Sequence, residues 1–147
     1  MASRSEPTRE DELRRAAAFR AALRGFSSRT EQVAAAAGLT PQRYDLLLTV
    51  RAAPDEVSTV TDLSRQLRLR QTAVTELVNR AEEAGLVRRA PSPQDGRVTL
   101  IRLSAKGERR LMLAFEGLRD ERAQVRRALR EVGARFRENA TGVVGPD

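Results

Sequence analysis

The chain has 147 residues, of which 40% are apolar, enough for one domain with a real core. Its formal net charge of +7 and pI near 11.3 indicate a polyanionic partner such as nucleic acid. Because the sequence contains neither cysteine nor histidine, disulfides, the commonest zinc ligands and catalysis by a histidine base or a cysteine nucleophile are excluded.

Other classes of protein are disfavoured by what the sequence does not contain. No apolar run approaches the roughly 18 residues of a membrane span, and no signal peptide pattern opens the chain. We therefore expect a cytoplasmic protein with no membrane partner. Glycine loops for phosphates, metal-binding clusters and activated nucleophiles are also missing, so we expect neither an enzyme nor a bound cofactor.

Two helices are predicted in the first third of the chain. Residues 1–8 are polar and predicted to be disordered. Apolar residues at three- and four-residue spacings, Phe19 and Phe26 among them, predict a helix over residues 9–37. Gly38 is suited to end that helix, and Thr40 and Pro41 are suited to begin a second one that reaches about Arg51.

A helix-turn-helix follows. Thr59 or Ser58 can cap a short helix that continues to about Leu67. After the turn "RLRQ", apolar spacing predicts a second helix from Gln71 to Ala84, and Gly85 is suited to end it. Two helices of this length joined by so short a turn are typical of helix-turn-helix domains.

A β-hairpin is predicted directly after these helices. Residues 86–89 and 98–103 alternate as strands do, and the loop "APSPQDG" separates them. Its Asp95-Gly96 pair indicates a turn, and its two prolines should keep the loop out of the strand pairing. A helix-turn-helix followed by a hairpin is a winged helix, which we assign to residues 38–103. The fold class is therefore mainly α with a small β-hairpin.

The remaining residues predict one long helix over residues 104–138 and a flexible tail over 139–147. Ser104 is suited to cap the helix, and apolar residues alternate at four- and three-residue spacings along it. Such a seam must be buried, more readily in a dimer than against another protein. Arg122 interrupts the seam and would pair with Glu12 or Glu31 of a second protomer, or face a polar cleft. The seam residues are Leu111, Phe115, Leu118, Val125, Leu129, Val132 and Phe136.

The segment from Thr61 to Gly107 resembles the MarR (multiple-antibiotic-resistance regulator) family of winged-helix transcription factors. Three features in the family's order and spacing carry the resemblance: a "T-x-LV-x-R-x-E-x-x-GLV-x-R" helix, a "D-x-R" wing and an "L-S-x-x-G" exit into the next helix. In this chain they are Thr75, Leu77, Val78, Arg80, Glu82, Gly85, Leu86, Val87, Arg89, Asp95, Arg97, Leu103, Ser104 and Gly107. The resemblance implies a homodimer, joined by its terminal helices, on a pseudo-palindromic operator in double-stranded DNA. The single helix predicted after residue 104 departs from relatives that have a separate sixth helix.

The second helix of the helix-turn-helix is the expected recognition helix, because its N-terminal residues would point into the major groove. Glu76 is left with three interpretations: it reads cytosine, it pairs with Arg80 four residues later, or it weakens DNA binding. The candidate residues in and before this helix are Arg68, Arg70, Gln71, Thr72, Thr75, Glu76 and Arg80.

The wing supplies the second group of candidates. In the resembling family the arginine of "D-x-R", here Arg97, enters the minor groove while the aspartate, here Asp95, orients the loop. Gly96 stands where relatives often have a basic residue, so one phosphate contact is lost. Four arginines, with Arg68 again among them, are candidates for phosphate contact or for a plain surface role. They are Arg65, Arg68, Arg88 and Arg89.

Many relatives bind a small phenolic or anionic effector, and the resemblance implies a pocket for one. The candidate lining residues are Phe19, Phe26, Arg43, Tyr44 and Leu113, for which ordinary core and surface roles are the alternative. The sequence therefore predicts a dimeric, sequence-specific DNA-binding regulator, a repressor released by such an effector. The alternative is a winged-helix protein-interaction module without sequence-specific DNA binding, which Glu76 and Gly96 favour.

Overall fold

A computed structural model describes the backbone of residues 8–140 and the side chains of residues 8–130. Of the residues predicted to be disordered, 1–8, the structure describes only Thr8, whose hydroxyl accepts a hydrogen bond from the Asp11 N–H at the start of the first helix. Most of the predicted tail lies outside the described residues. The elements are α1 (Arg9–Ala36), α2 (Pro41–Ala52), a single 3-10 turn (Pro54–Glu56), α3 (Val60–Leu67), α4 (Gln71–Glu83), β1 (Val87–Pro91), β2 (Thr99–Leu103), α5 (Ala105–Gly117) and α6 (Arg119–Ala140). This order confirms the predicted winged-helix fold class.

The chain divides into two compact units. The winged-helix unit covers residues 31–117, from the end of α1 through α5. The helical unit combines the chain up to Thr30 with the chain from Leu118 onwards. Within the described residues, no helix is both long enough and apolar enough to cross a membrane.

The core of the winged-helix unit lies among α2, α3, α4, the hairpin and α5. Its largest fully buried side chains are aliphatic, and burial of each one contributes about 1.5–3 kcal/mol relative to exposure. Tyr44 is the one aromatic residue among the buried residues of the described chain. The fully buried aliphatic residues of this unit are Leu46, Leu47, Val50, Leu63, Val74, Val78, Leu86, Val87, Ile101 and Leu111.

The helix starts follow the capping residues expected from the sequence. The Thr40 hydroxyl accepts a hydrogen bond from the backbone N–H of Arg43, and Pro41 occupies the first turn of α2. Of the two candidates for capping α3, Thr59 does so, accepting from the N–H of Asp62. Ser58 is instead buried, and its backbone bridges Ile101 at the edge of the hairpin.

The hairpin is antiparallel, with Val87 opposite Leu103 and Arg89 opposite Ile101. The expectation that both prolines lie in the loop is wrong for Pro91, which is the last residue of β1 and pairs with Thr99. A proline is tolerated there because a strand end needs no further ladder N–H.

The prediction of one C-terminal helix over residues 104–138 is also wrong. Helix α5 ends at Gly117, Leu118 lies in a turn, and α6 begins at Arg119. Glycine is a poor helix former, and the acidic Asp120 and Glu121 in the first turn of α6 suit a new helix N-terminus. The chain therefore has the separate sixth helix whose absence had been expected.

The predicted seam is divided by this break. Leu111 is already buried within the winged-helix unit, and Phe115 is half-buried. On α6, Val125 is half-buried, whereas 56% of Leu129 is exposed. The side chains of Val132 and Phe136 lie outside the described residues. A contact of α6 with a second copy stays a prediction.

In the helical unit, an ion pair joins α1 to α6. The Arg29 Nε donates to the Glu121 Oε1 at 2.8 Å. Hydrogen bonds from the residue's own backbone N–H and from Arg29 lower the pKa of Glu121. The predicted pairing of Arg122 with an acidic residue of a second protomer stays untested.

Candidate nucleic-acid interface

The recognition helix α4 has one buried and one exposed face. Val74, Leu77, Val78 and Ala81 are buried against the rest of the winged-helix unit. The side chains predicted to read DNA lie on the other face, where all are exposed: Gln71, Thr72, Thr75, Glu76 and Arg80. The structure therefore brings these residues together along one side of a single helix.

Within this exposed face, the polar groups differ in how firmly they are held. The Thr75 hydroxyl donates to the Gln71 carbonyl at 2.8 Å, so only its oxygen lone pairs remain for a ligand. Glu76 and Arg80 approach to 3.7 Å, with about 70% of each side chain exposed. Exposed pairs of this kind contribute about 0.2–1 kcal/mol. Because this ion pair is weak, Glu76 can exchange it at little cost for a contact with a ligand.

The turn before the recognition helix has an unusual backbone. Arg68, the C-cap of α3, has φ 54° and ψ 41°, the left-handed conformation that costs a residue with a Cβ about 1–2 kcal/mol. The Ser64 hydroxyl holds the turn by donating to the Leu69 carbonyl at 2.6 Å. Arg68 and Arg70 are both exposed here, immediately before α4.

The tip of the hairpin, residues 92–98, is organised by Asp95. The Asp95 Oδ1 accepts from the Arg97 backbone N–H at 3.1 Å and lies 3.8 Å from the Arg97 Nε. The Asp95 carbonyl also accepts from the Val98 N–H at 2.9 Å. The Arg97 side chain is 95% exposed. The aspartate thus fixes the backbone of the tip, while the guanidinium projects into solvent.

The further arginines proposed from the sequence differ in their surroundings. Arg65 and Arg88 are exposed, and Arg65 lies 3.7 Å from Asp62. Arg89 is held between β1 and α4 by Asn79 and Glu82. From the sequence, Arg89 is expected either to contact a phosphate or to have a plain surface role. Its contacts with α4 could not be predicted, because no local sequence pattern indicates which residues of another element a side chain will meet.

The end of the recognition helix is joined to the start of α5 by a set of hydrogen bonds. The Ser104 hydroxyl donates to the Gly85 carbonyl and accepts from the Gly107 N–H. The Ser104 N–H donates to the Leu86 carbonyl at 3.0 Å, and the Lys106 ammonium donates to the Ala84 carbonyl at 2.8 Å.

Gly107 is needed at this junction because the two backbones approach closely. A Cβ on Gly107 would lie 2.0 Å from the Leu86 carbonyl oxygen, so only glycine fits without movement. The "L-S-x-x-G" pattern thus has a structural cause. Ser104 supplies the hydrogen bonds, and Gly107 lets α5 come near the end of the recognition helix.

Another set of charges in the winged-helix unit is neutralised internally. Arg51 contacts the Glu56 carboxylate at 2.8 Å and the Glu108 carboxylate at 3.1 Å. The hydrogen bond to Glu108 is the main cause that raises the pKa of Arg51. Arg102 donates to the Asp55 carbonyl at 3.1 Å beside the same residues. With its charge already matched by two carboxylates, Arg51 is a poor candidate for a phosphate.

The residues predicted to line an effector pocket do not share one cavity. Phe19 and Phe26 belong to the helical unit, where they line a cavity of about 450 Å³. Its other walls include Leu23, Val125 and Leu129. Arg43, Tyr44 and Leu113 belong to the winged-helix unit and do not line that cavity: Tyr44 is buried in the core, and Leu113 is 59% exposed.

Known proteins resemble this chain in sequence and in fold. The MarR family model matches residues 37–98. The chain is 32% identical over 117 residues to the helix-turn-helix transcriptional regulator YdgJ of Bacillus subtilis, covering 74% of this chain and 70% of that protein. It is 40% identical over 50 residues to the transcriptional repressor IacR of Pseudomonas putida, covering 34% of this chain and 30% of IacR.

The fold agrees with these sequence matches. The MarR family regulator Sco3205 of Streptomyces coelicolor, solved in complex with DNA, superposes with a TM-score of 0.70 at 23% identity. The match covers 94% of each chain. This match shows the winged-helix fold, and the family model together with YdgJ identifies the chain as a member of the MarR family of winged-helix transcription regulators.

Proposed function

We propose that this protein binds double-stranded DNA sequence-specifically as a homodimer and represses transcription from a pseudo-palindromic operator. One observation carries the proposal. In one winged-helix unit, a recognition helix exposes a polar face while an aspartate-braced tip projects Arg97 into solvent. A helix for base edges in the major groove and an arginine for the minor groove are the two means by which such a domain reads DNA.

The relatives support DNA as the partner and repression as the outcome. Sco3205 was solved in complex with DNA, and IacR is a transcriptional repressor. The net charge of +7 favours a polyanion. DNA as the partner also implies a cytoplasmic location.

Exposed apolar side chains in the helical unit support the homodimer. Phe19, Leu23 and Leu129 are between 42% and 56% exposed, and all three line the cavity between α1 and α6. Apolar groups grouped in this way are typical of surfaces that a partner covers. A second copy would cover them and would set two winged helices about one helical turn of DNA apart.

Release by a small phenolic or anionic effector is the final part of the proposal. Such a compound would have to bind the DNA-free arrangement of the dimer more tightly than the DNA-bound one, since only differential affinity shifts an equilibrium. The cavity beside Phe19 and Phe26 supplies apolar walls, and Arg29 on its rim supplies a cation that Glu121 partly neutralises.

Selection of duplexes from a random-sequence pool tests the proposed function. We expect a recurrent motif of two inverted half-sites. Its affinity should exceed that of random duplex by a factor of at least about a thousand at physiological salt. Equal binding of all duplexes, or none, would contradict the proposal and favour the protein-interaction module. Glu76 and Gly96 are the features that favour this alternative.

A further inference from the structure

Arg89 lies between the two parts of the proposed DNA-binding surface. It belongs to β1, and its guanidinium donates to the Asn79 Oδ1 of α4. Its Nε lies 3.6 Å from the Glu82 Oε2, and only 30% of its side chain is exposed. One arginine of the wing therefore contacts two residues one helical turn apart on the recognition helix.

The neighbouring arginine has different surroundings. Successive side chains of a strand point to opposite faces, and Arg88 is exposed whereas Arg89 is half-buried. Arg88 stands opposite Arg102, and Arg89 stands opposite the fully buried Ile101. The two arginines carry the same charge on the same strand, but only Arg89 packs towards the core.

Burial also favours the contacts of the Arg89 guanidinium with Asn79 and Glu82 over a contact with another group. Its Nε is inaccessible to solvent and makes no hydrogen bond within the described residues, so Glu82 at ion-pair distance is its nearest compensation. If the Arg89 guanidinium moved from Glu82 to a phosphate, the Glu82 carboxylate would be left unpaired beside DNA. A planar guanidinium with several donors suits such a two-point contact better than an ammonium does.

We propose that Arg89 is a positioning residue, which fixes the angle of the wing against the recognition helix and does not itself bind phosphate. This inference rests on the proposed DNA-binding function. Without the Arg89 side chain, the hairpin would remain attached to α4 through backbone connections and apolar packing alone. Arg97 would then reach the minor groove less often when α4 is seated in the major groove.

The matched variants Arg89→Gln and Arg88→Gln test this role, because each removes one positive charge from β1. Affinity for the duplex selected by the wild-type protein is measured over a salt series, with and without Arg97→Ala. We expect Arg89→Gln to weaken binding about tenfold, in the range of couplings between contacting residues. The salt slope should not change, and Arg97→Ala should cost much less in this background. In the Arg88→Gln background, Arg97→Ala should keep its full cost.

A phosphate ligand would behave differently. Its loss would reduce the magnitude of the salt slope by about 0.9 and would add independently to the loss of Arg97. Those two results for Arg89→Gln would overturn the proposal. If the wild-type protein binds no duplex preferentially, the proposed function itself fails, and this inference fails with it.

Glu82→Gln provides a second variant in which the two roles have opposite signs. It removes a negative charge from the recognition helix and weakens the hold on Arg89. If Arg89 positions the wing, affinity for the selected duplex falls while affinity for random duplex does not. If Arg89 is a phosphate ligand, both affinities rise. Hydrogen exchange of the β1 and β2 amides in the free protein should accelerate in Glu82→Gln and Arg89→Gln but not in Arg88→Gln.

Discussion

Replacement of Gly107 by alanine should destabilise the winged-helix unit, although alanine is the better helix former. The new Cβ would lie 2.0 Å from the Leu86 carbonyl oxygen and 3.0 Å from the carbonyl carbon. Non-bonded contacts of this kind need more than 3 Å, so α5 or the end of the recognition helix must move by about 1 Å. The same carbonyl accepts the Ser104 N–H, so the movement strains that hydrogen bond as well.

The size of the expected change in stability follows from two destabilising effects and one stabilising effect. Overpacking of a tight contact costs about 1–3 kcal/mol, and a weakened hydrogen bond costs about 0.5–1.5 kcal/mol. The higher helix propensity of alanine returns about 1 kcal/mol. We therefore expect Gly107→Ala to lower the free energy of unfolding by about 2 kcal/mol, which lowers the Tm of a chain of this size by about 4–8 °C.

Gly25→Ala is the matched control, because Gly25 is also a helical glycine and its added Cβ would meet nothing within 4 Å. That variant should gain about 1 kcal/mol. Thermal unfolding followed by circular dichroism, with urea unfolding as a second measure, compares the two variants with the wild-type protein. Equal or greater stability of Gly107→Ala would refute the explanation given for the close approach of α5 to Leu86.

Four further outcomes are expected. Arg97→Ala should weaken operator binding by about 1–3 kcal/mol at unchanged Tm; unchanged affinity in a binding titration would remove the wing from DNA recognition. Arg68→Gly should raise stability in urea by about 0.5–1 kcal/mol by relieving the left-handed backbone, and no gain would mean that the turn is unstrained. Leu129→Glu should yield monomers in sedimentation, contrary to the proposal if dimers persist. Hydrogen bonds from its own backbone N–H and from Arg29 lower the pKa of Glu121 in the folded chain. The stabilisation that they provide should be present above the ordinary glutamate pKa near 4.3 and be lost as the pH falls below it. Glu121→Gln should flatten this acid dependence of unfolding, and an unaltered profile would contradict the assignment.

The sequence predicted the elements whose signals are local. Thr40 and Thr59 cap α2 and α3 because a hydroxyl at a helix start satisfies a nearby N–H, a relation within three residues. Apolar spacing likewise placed the recognition helix and its exposed face. The Asp95 turn could be expected because an aspartate bonds a backbone N–H two residues later.

What the sequence could not predict depends on long-range contacts or on competition between signals. The helix break at Gly117 was hidden because the four- and three-residue spacing continues through it. The Arg29–Glu121 pair joins residues 92 positions apart, and charge alone does not single out such a partner. The left-handed conformation of Arg68 carries no sequence signal, since glycine is the residue expected there.

Lys106 is the only lysine in the chain, and its ammonium rests on the Ala84 carbonyl at the end of the recognition helix. Amine-directed chemistry therefore has one side-chain target, and that target lies at the junction between the recognition helix and α5. A fluorophore attached there needs no engineered cysteine and would report directly on movement of that junction when DNA or a small molecule is added.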